Sequence, residues 1–299
     1  MFRGTFTALI TPFRNGEFDR AAFEKQIGFQ AKNGLAGIVP VGTTGESPTL
    51  SHEEHRDVVE IAVSAARGTS LKVFAGTGSN STTEALELTQ FAKKVGADAA
   101  LMVNPYYNKP TQEGLFLHFK TIAHAVDIPI VLYNIPGRTN VSMTVQTMLR
   151  LVQECPNIAA VKDAAGNLDL TSEAIAAGLT VLSGDDSLTL PMMSVGASGV
   201  ISVASNIVPD KIRQMTTYAL DGNFAAAREV HLQLFPLLKA LFLETNPIPI
   251  KAAMALLGRD TGELRLPLSA MSRENREILR TTLVKLGLTP KNMLEKTVA

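Results

Sequence analysis

The stretch Ile130–Asp163 reads IVLYNIPGRTNVSMTVQTMLRLVQECPNIAAVKD. It opens on a short apolar run, Ile130–Tyr133, and closes on another, Ala159–Lys162, with a helix candidate at Thr144–Glu154 between them. Runs that are apolar on both sides of the pleat mark buried parallel strands, and the helix between them is the crossover that parallel pairing requires. The segment therefore reads as one strand–helix–strand unit. Its last strand ends in Lys162, where an ammonium would be costly to desolvate. Such a lysine is paired, deprotonated or functional.

The same alternation runs outward in both directions. Further strand candidates are Thr5–Ile10, Gly37–Val41, Lys72–Ala75, Ala99–Val103, Thr180–Leu182 and Val200–Val203. Helix candidates alternate with them at Ala21–Asn33, Ser51–Ala66, Ser81–Val95, Gln112–Ala125, Asp169–Ala177, Leu188–Val195 and Pro209–Leu220. Eight strand–helix units within residues 1–222 predict an α/β protein, a (β/α)8 TIM barrel. An open doubly wound sheet is the alternative. However, the glycine-rich stretch Gly76-Thr-Gly-Ser-Asn-Ser81 follows the third strand and lacks the third glycine of a dinucleotide fingerprint. Past Gly222 the strand signals stop. Helices are expected at Phe224–Leu243, Ile250–Leu257 and Arg273–Leu286, with Asn246–Pro249 as a break, so residues 223–299 form a C-terminal helical extension.

Composition narrows the function classes. Lysine plus arginine and aspartate plus glutamate both number 28, so formal net charge is zero. That leaves no basic footprint for nucleic acid and no polybasic patch for a membrane surface. Cys155 is the only cysteine, which removes any intrachain disulfide or cysteine zinc cluster and suits a reducing compartment. The opening MFRGTFTALITPF reads as a first strand rather than a signal peptide. No run reaches the ~18 apolar residues of a membrane span. A cytoplasmic protein is expected.

In this barrel, chemistry sits at the C-terminal ends of the strands. Those ends carry Gly42-Thr43-Thr44-Gly45-Glu46, Asn104-Pro105-Tyr106-Tyr107, Tyr133 to Thr139, Lys162-Asp163, Gly184-Asp185-Asp186 and Ser205-Asn206. No histidine-rich or paired-ligand spacing is among them, and Asp185-Asp186 without a third ligand reads as hydrogen bonding at the rim. Desolvation favours the free amine of a lysine, the form that can attack a carbonyl and form a Schiff base. Tyr133 could move protons, and Arg138 could grip a carboxylate through its planar fork. The structural alternative for Lys162 is a strand-end ion pair with Asp163 or Asp186.

With these residues go seven motifs: VGTTGES (Val41–Ser47), NPYYNKPTQEG (Asn104–Gly114), LYNIPGRT (Leu132–Thr139), VKDAAGN (Val161–Asn167), LSGDD (Leu182–Asp186), GVISVASN (Gly199–Asn206) and NPIPIK (Asn246–Lys251). In this order they resemble the pyruvate-dependent, Schiff-base-forming aldolases of the N-acetylneuraminate lyase superfamily, and within it the dihydrodipicolinate synthase family. The resemblance implies that Lys162 captures pyruvate as a covalent Schiff base with no other cofactor or metal. It implies that Tyr133 is the general acid and base, and that Thr43 and Tyr107 relay protons. Tyr107 would come from a neighbouring subunit, within a homotetramer built as a dimer of dimers. Thr44, Gly184 and Ile201 would line the pyruvate pocket. Arg138 would bind the carboxylate of aspartate semialdehyde, the second substrate, in the first committed step of the diaminopimelate and lysine pathway. Sugar-acid and neuraminate lyases generally lack the Arg138-Thr139 pair, so a relative acting on a long polyol is the less fitting reading. A non-catalytic sensor would not need the full set of Thr43, Thr44, Tyr107, Tyr133 and Lys162.

Two features differ from the common pattern. Asp163-Ala164-Ala165 stands where many members carry glutamate, alanine and a hydroxyl residue. Pro48 stands where some lysine-inhibited members have alanine.

Ser51 with Glu54 and Ser81 with Glu84 both fit a capping box. His52 and His55 lie i, i+3 on one helix face, a spacing that could hold a ligand. The resemblance implies an allosteric pocket for L-lysine at Ser47, His52, His55, Gly78, Asn80, Glu84 and Tyr106. His118, His124 and His231 read as packing or surface residues.

Overall fold

The computed structural model describes residues 2–288. Its centre is a closed barrel of eight parallel strands. These are β1 (Gly4–Ala8), β2 (Gly37–Val39), β3 (Lys72–Gly76), β4 (Ala99–Val103), β5 (Ile130–Asn134), β6 (Ile158–Asp163), β7 (Val181–Ser183) and β8 (Gly199–Ser202). Each pairs with its sequence neighbour. Closure comes from β1, which pairs with β2 at Phe6↔Gly37 and with β8 at Phe6↔Ile201. The (β/α)8 expectation holds, and the doubly wound alternative does not.

Side-chain alternation divides the strand residues into two sets. Phe6, Ala8, Val39, Phe74, Leu101, Val131, Ala160, Leu182 and Ile201 form one buried cluster that fills the barrel. The intervening residues, such as Ile38, Val73, Met102, Leu132 and Val161, face the surrounding helices in a second, larger core. Both faces of every strand are buried, which is why these runs are apolar without alternation.

The outer ring is α1 (Arg20–Lys32), α2 (His52–Ala66), α3 (Thr82–Val95), α4 (Gln112–Ala125), α5 (Val145–Glu154), α6 (Leu168–Ala176), α7 (Thr189–Ser194) and α8 (Pro209–Leu220). Most begin at a side-chain cap that satisfies an open helix N–H: Asp19, Ser51, Ser81, Thr111, Thr144 and Asn167. The Ser51–Glu54 capping box is reciprocal. The Ser81–Glu84 box is not: Ser81 accepts from the Glu84 N–H, but the Glu84 carboxylate turns to the Ser79 hydroxyl and His52 instead.

After the barrel come α9 (Phe224–Ala240), α10 (Ile248–Leu256) and α11 (Arg273–Lys285). Helix α9 packs on α8, and α11 packs on both α9 and α10. The first of them ends at Ala240 rather than Leu243. The break at Asn246–Pro249 is shorter than its sequence suggests, because Pro247 caps α10 and Pro249 lies in its first turn. A proline costs no hydrogen bond there. Residues 289–299 of the expected helical extension lie outside the described residues. A small hairpin of Phe13–Arg14 and Glu17–Phe18 and a helical turn at Pro136–Thr139 are additional to the elements that the sequence implies. No helix among the described residues is long and apolar enough to cross a membrane.

Candidate active site

The register of β5 and β6 sets Tyr133 directly beside Lys162, and Asn134 beside Asp163. Because side chains alternate, Lys162 follows Ala160 to the barrel interior, whereas Asp163 follows Val161 outward. Lys162 is 6% exposed and Tyr133 5%. The lysine nitrogen lies 3.9 Å from the centroid of the tyrosine ring.

Neither acid expected as an ion-pair partner reaches Lys162. The Asp163 carboxylate accepts from the Thr171 hydroxyl at 2.7 Å and from the Ala165 N–H at 3.0 Å. Asp186 accepts from the N–H groups of Val203 and Ala204 at 2.8 and 2.9 Å, tying the end of β8 to the loop after β7. Burial pushes the Asp186 carboxyl above its ordinary range, against these donors. Lys162 makes no ion pair with any described residue. A buried, unpaired lysine whose nitrogen stands over a tyrosine ring is arranged for amine chemistry.

Gly184 makes room for the lysine arm. A Cβ there would fall 3.0 Å from Lys162 Cε and 2.8 Å from the Ala164 Cβ. Ile201, 1% exposed, sits in the interior cluster that also contains Tyr133.

A cavity of about 240 Å³ opens on this rim, with Thr43, Tyr133, Arg138, Ser47, Gly78 and Tyr106 in its wall. Residues expected at a catalytic centre and residues expected at a regulatory pocket thus share one cavity. Thr43 belongs to the loop after β2. Its neighbour Thr44 is buried, and the Thr44 hydroxyl accepts from Asn246 Nδ2 at 2.9 Å. Arg138 is carried by a helical turn, Pro136–Thr139, and donates to the Asn246 carbonyl at 3.0 Å.

Tyr107 is not brought to Tyr133. It is 89% exposed and holds a left-handed φ of 73°, rare for an aromatic residue.

Of the other expected residues, His52 Nε2 lies 3.4 Å from Glu84 Oε1. Tyr106 faces Glu84, Ser79 and the main chain of Asn80, and burial followed by the Glu84 charge pushes its phenol up. Asn80 gives its carbonyl to the Asn108 amide at 2.9 Å. A Cβ on Gly78 would fall 2.3 Å from the Val103 nitrogen, so only glycine fits there. The two histidines of this helix face differ in exposure. His52 is exposed, but His55 is buried, and that burial holds its imidazole down to about 4 against the main chain of Gly76. Among the described residues no group of three or more metal-ligating side chains converges.

Sequence reasoning gave no site role to Glu46, Asn246 or Lys251, which hold the loop of Thr43 and Thr44. Lys251 carried the same signal as Lys162, a lysine inside an apolar run, Ile248-Pro-Ile-Lys-Ala-Ala-Met254.

A family model described as the dihydrodipicolinate synthetase family matches residues 1–286. A 4-hydroxy-tetrahydrodipicolinate synthase from Methanocaldococcus jannaschii is 55% identical over 289 residues, 96% of this chain and 100% of the relative. Among solved structures, the dihydrodipicolinate synthase from Aquifex aeolicus superposes with a TM-score of 0.96 at 54% identity, covering 97% of this chain and 100% of its own. Two further structures carry ligands. The enzyme from Cyanidioschyzon merolae has lysine bound (TM-score 0.94, 44% identity, 96% and 99% covered). The chloride-inhibited enzyme from Acinetobacter baumannii is in complex with pyruvate (TM-score 0.92, 43% identity, 96% and 100% covered).

Proposed function

The chain belongs to the dihydrodipicolinate synthetase family, and from that premise we propose that it condenses pyruvate with L-aspartate 4-semialdehyde to give 4-hydroxy-tetrahydrodipicolinate, the first committed step towards diaminopimelate and lysine. It is an enzyme, a lyase, as its curated relatives are. The observation that carries the proposal is Lys162: buried, free of any carboxylate among the described residues, and in register with Tyr133.

The Lys162 amine adds to the ketone carbon of pyruvate. The ketone oxygen takes protons and leaves as water, giving the Schiff base. Loss of a methyl proton makes the enamine, whose terminal carbon bonds to the aldehyde carbon as the aldehyde oxygen is protonated. The acceptor's amino group then displaces Lys162 from the imine carbon, which closes the ring and frees the lysine. Tyr133 moves these protons, with Thr43 and Tyr107 linking it to solvent. The condensed Lys162 is itself the electron sink, so the chemistry calls for no metal or prosthetic group.

Thr44 and the main chain near Gly184 and Ile201 receive pyruvate, and Arg138 receives the carboxylate of the semialdehyde. The pyruvate complex of the Acinetobacter baumannii relative supports the first substrate. The projecting ring of Tyr107 supports a second copy completing each site, within a homotetramer. The lysine-bound relative and the His52, Glu84 and Tyr106 cluster support feedback inhibition by L-lysine. A cytoplasmic location fits the single free cysteine, Cys155.

Borohydride reduction in the presence of pyruvate, read by peptide mass, tests the reading. It is expected to leave an adduct on Lys162, and ring product is expected from the wild type but not from Lys162→Ala. No adduct would overturn the Schiff base. An adduct without turnover on fresh semialdehyde would move the acceptor to another aldehyde.

A further inference from the structure

The loop that carries Thr43 and Thr44 is held in an uncommon shape. Val41 and Glu46, at its two ends, both sit in the left-handed region, with φ of 49° and 53°. A β-branched residue there is a genuine outlier, and such conformations persist only where the surroundings over-determine them. Within the loop, the Gly45 and Ser47 N–H groups donate to the Gly42 carbonyl, and the Glu46 N–H donates to the Thr43 carbonyl. Those three turn bonds do not account for a strained loop at a reactive rim.

A further hold comes from the C-terminal helical region and from Thr11, just past β1. Lys251 of α10 is fully buried, and its nitrogen lies 2.6 Å from Glu46 Oε1 and 2.9 Å from the Thr11 carbonyl. The ring of Phe13 covers the same ammonium at 4.2 Å. The second Glu46 oxygen accepts from the Arg265 N–H at 3.2 Å, and the Thr11 hydroxyl donates to the Gly45 carbonyl at 2.6 Å. One turn before Lys251, Asn246 donates its amide to the Thr44 hydroxyl and takes the Arg138 guanidinium on its carbonyl. Apolar side chains of the same volume would hold α10 in place at least as well, because burying an ion pair brings little net stability. What the charged pair adds is direction: it fixes where the Glu46 carboxylate, and so the end of the loop, can lie.

We propose that the buried Lys251–Glu46 pair, together with Asn246, is the clamp by which the C-terminal helices set the position of Thr43 and Thr44. Lys251, Glu46 and Asn246 are then positioning residues of the catalytic rim. The assignment rests on the condensation proposed above.

The test uses the full chain in three forms: wild type, the double variant Glu46→Gln/Lys251→Met, which removes both charges at similar volume, and Asn246→Ala. Each is melted thermally. The pyruvate concentration giving half-maximal borohydride capture at Lys162 is then measured, with kcat alongside. In folded variants half-saturation is expected to rise by about 10-fold, the worth of one lost hydrogen bond to a carboxylate. Capture at saturating pyruvate is expected to persist, because Lys162 is untouched. A purely structural pair would instead reduce the folded fraction and leave half-saturation where it was. Folded variants with wild-type half-saturation and kcat would overturn the clamp. If the double variant does not fold, Asn246→Ala decides alone, and unchanged half-saturation there overturns it. A wild type that captures no pyruvate brings down the condensation reading and the clamp with it, whereas a capturing wild type with unaffected variants removes the clamp only.

Discussion

Gly184→Ala should impair pyruvate capture without removing any chemical group. Gly184 does not sit in the left-handed region, so alanine can adopt its backbone. The added methyl would meet the Ala164 Cβ at 2.8 Å, Lys162 Cε at 3.0 Å and the Asp163 carbonyl at 3.2 Å. Unstrained carbon–carbon contacts lie at ~3.5–4.0 Å, so roughly 0.5–1 Å of relief is needed. The Ala164 methyl and the Asp163 carbonyl are fixed to the backbone of β6 and its exit, whereas the lysine arm is flexible. Swinging the arm relieves only the contact with Cε; the 2.8 Å contact with Ala164 is relieved by moving main chain at Gly184 or at the exit of β6, so both the nucleophile and the strand end that carries it are displaced. A misplacement of about 1 Å costs about 100-fold in rate, so capture should slow by roughly 10- to 100-fold. Overpacking of this kind also destabilises by about 1–3 kcal/mol, which should lower the melting temperature by several degrees. The assay is the rate of borohydride-trapped adduct at fixed pyruvate, followed by intact mass. Gly28→Ala is the control, since nothing lies within 4 Å of a Cβ there. A folded Gly184→Ala protein that captures pyruvate at the wild-type rate would refute the claim that the glycine makes room for the lysine.

Acid should destabilise the fold through two histidines. Burial holds the imidazoles of His55 and His118 down to about 4 from an ordinary 6.5, so the folded rings stay neutral while the unfolded chain takes up protons below pH 6.5. Their contribution is complete above that pH and falls as pH drops towards 4, by roughly 3 kcal/mol each, about 2 of it gone by pH 5. Replacing His118 by leucine should remove its share of the fall in urea midpoint between pH 7 and pH 5, and an unchanged fall would contradict the assignment. Arg138→Lys keeps the charge but loses the planar fork. It should raise the KM for the semialdehyde by about 10-fold or more while pyruvate capture changes far less. Equal KM values would remove Arg138 as the carboxylate binder. Millimolar L-lysine should lower turnover, and Glu84→Gln should weaken that inhibition by about 10-fold through loss of a charge-assisted contact. Activity that stays flat across millimolar lysine would end the regulatory reading.

The legible parts of this molecule were those whose signal is local. Ala99–Val103, Gln112–Ala125 and Pro209–Leu220 have the bounds that their sequence implies, because apolar runs and caps mark both ends. The Phe13–Arg14 and Glu17–Phe18 hairpin has only two residues in each strand, too few to show a period. The burial of His55 is legible in the sequence. It shares the i, i+3, i+4, i+7 stripe of α2 with Val58, Val59 and Ala62, so its ring had to face the core. The Glu84 carboxylate could not be placed from its spacing to Ser81, since the Ser79 hydroxyl and His52 compete for it only once the loop is folded. The partner of Lys251 lies 205 residues away in the chain, beyond the reach of any pattern.

The two buried lysines show why sequence pattern alone could not separate catalysis from structure. Each interrupts an apolar run, and each has an aromatic face near its nitrogen: Tyr133 at 3.9 Å for Lys162, Phe13 at 4.2 Å for Lys251. They differ in what else is within reach. The Lys251 nitrogen is engaged at 2.6 Å by the Glu46 carboxylate and at 2.9 Å by the Thr11 carbonyl, and although burial pushes its ammonium down against the pull of Glu46, a nitrogen held between those two oxygens is not presented to a ketone. Lys162 has two acids near it in sequence, and strand alternation sends the first, Asp163, out to Thr171 while the N–H groups of Val203 and Ala204 engage the second, Asp186. The rim thus keeps Asp163 and Asp186 occupied by hydroxyl and main-chain donors, and leaves the lysine beside Tyr133 without a counter-ion among the described residues. The chemistry depends on that allocation of partners as much as on the lysine itself.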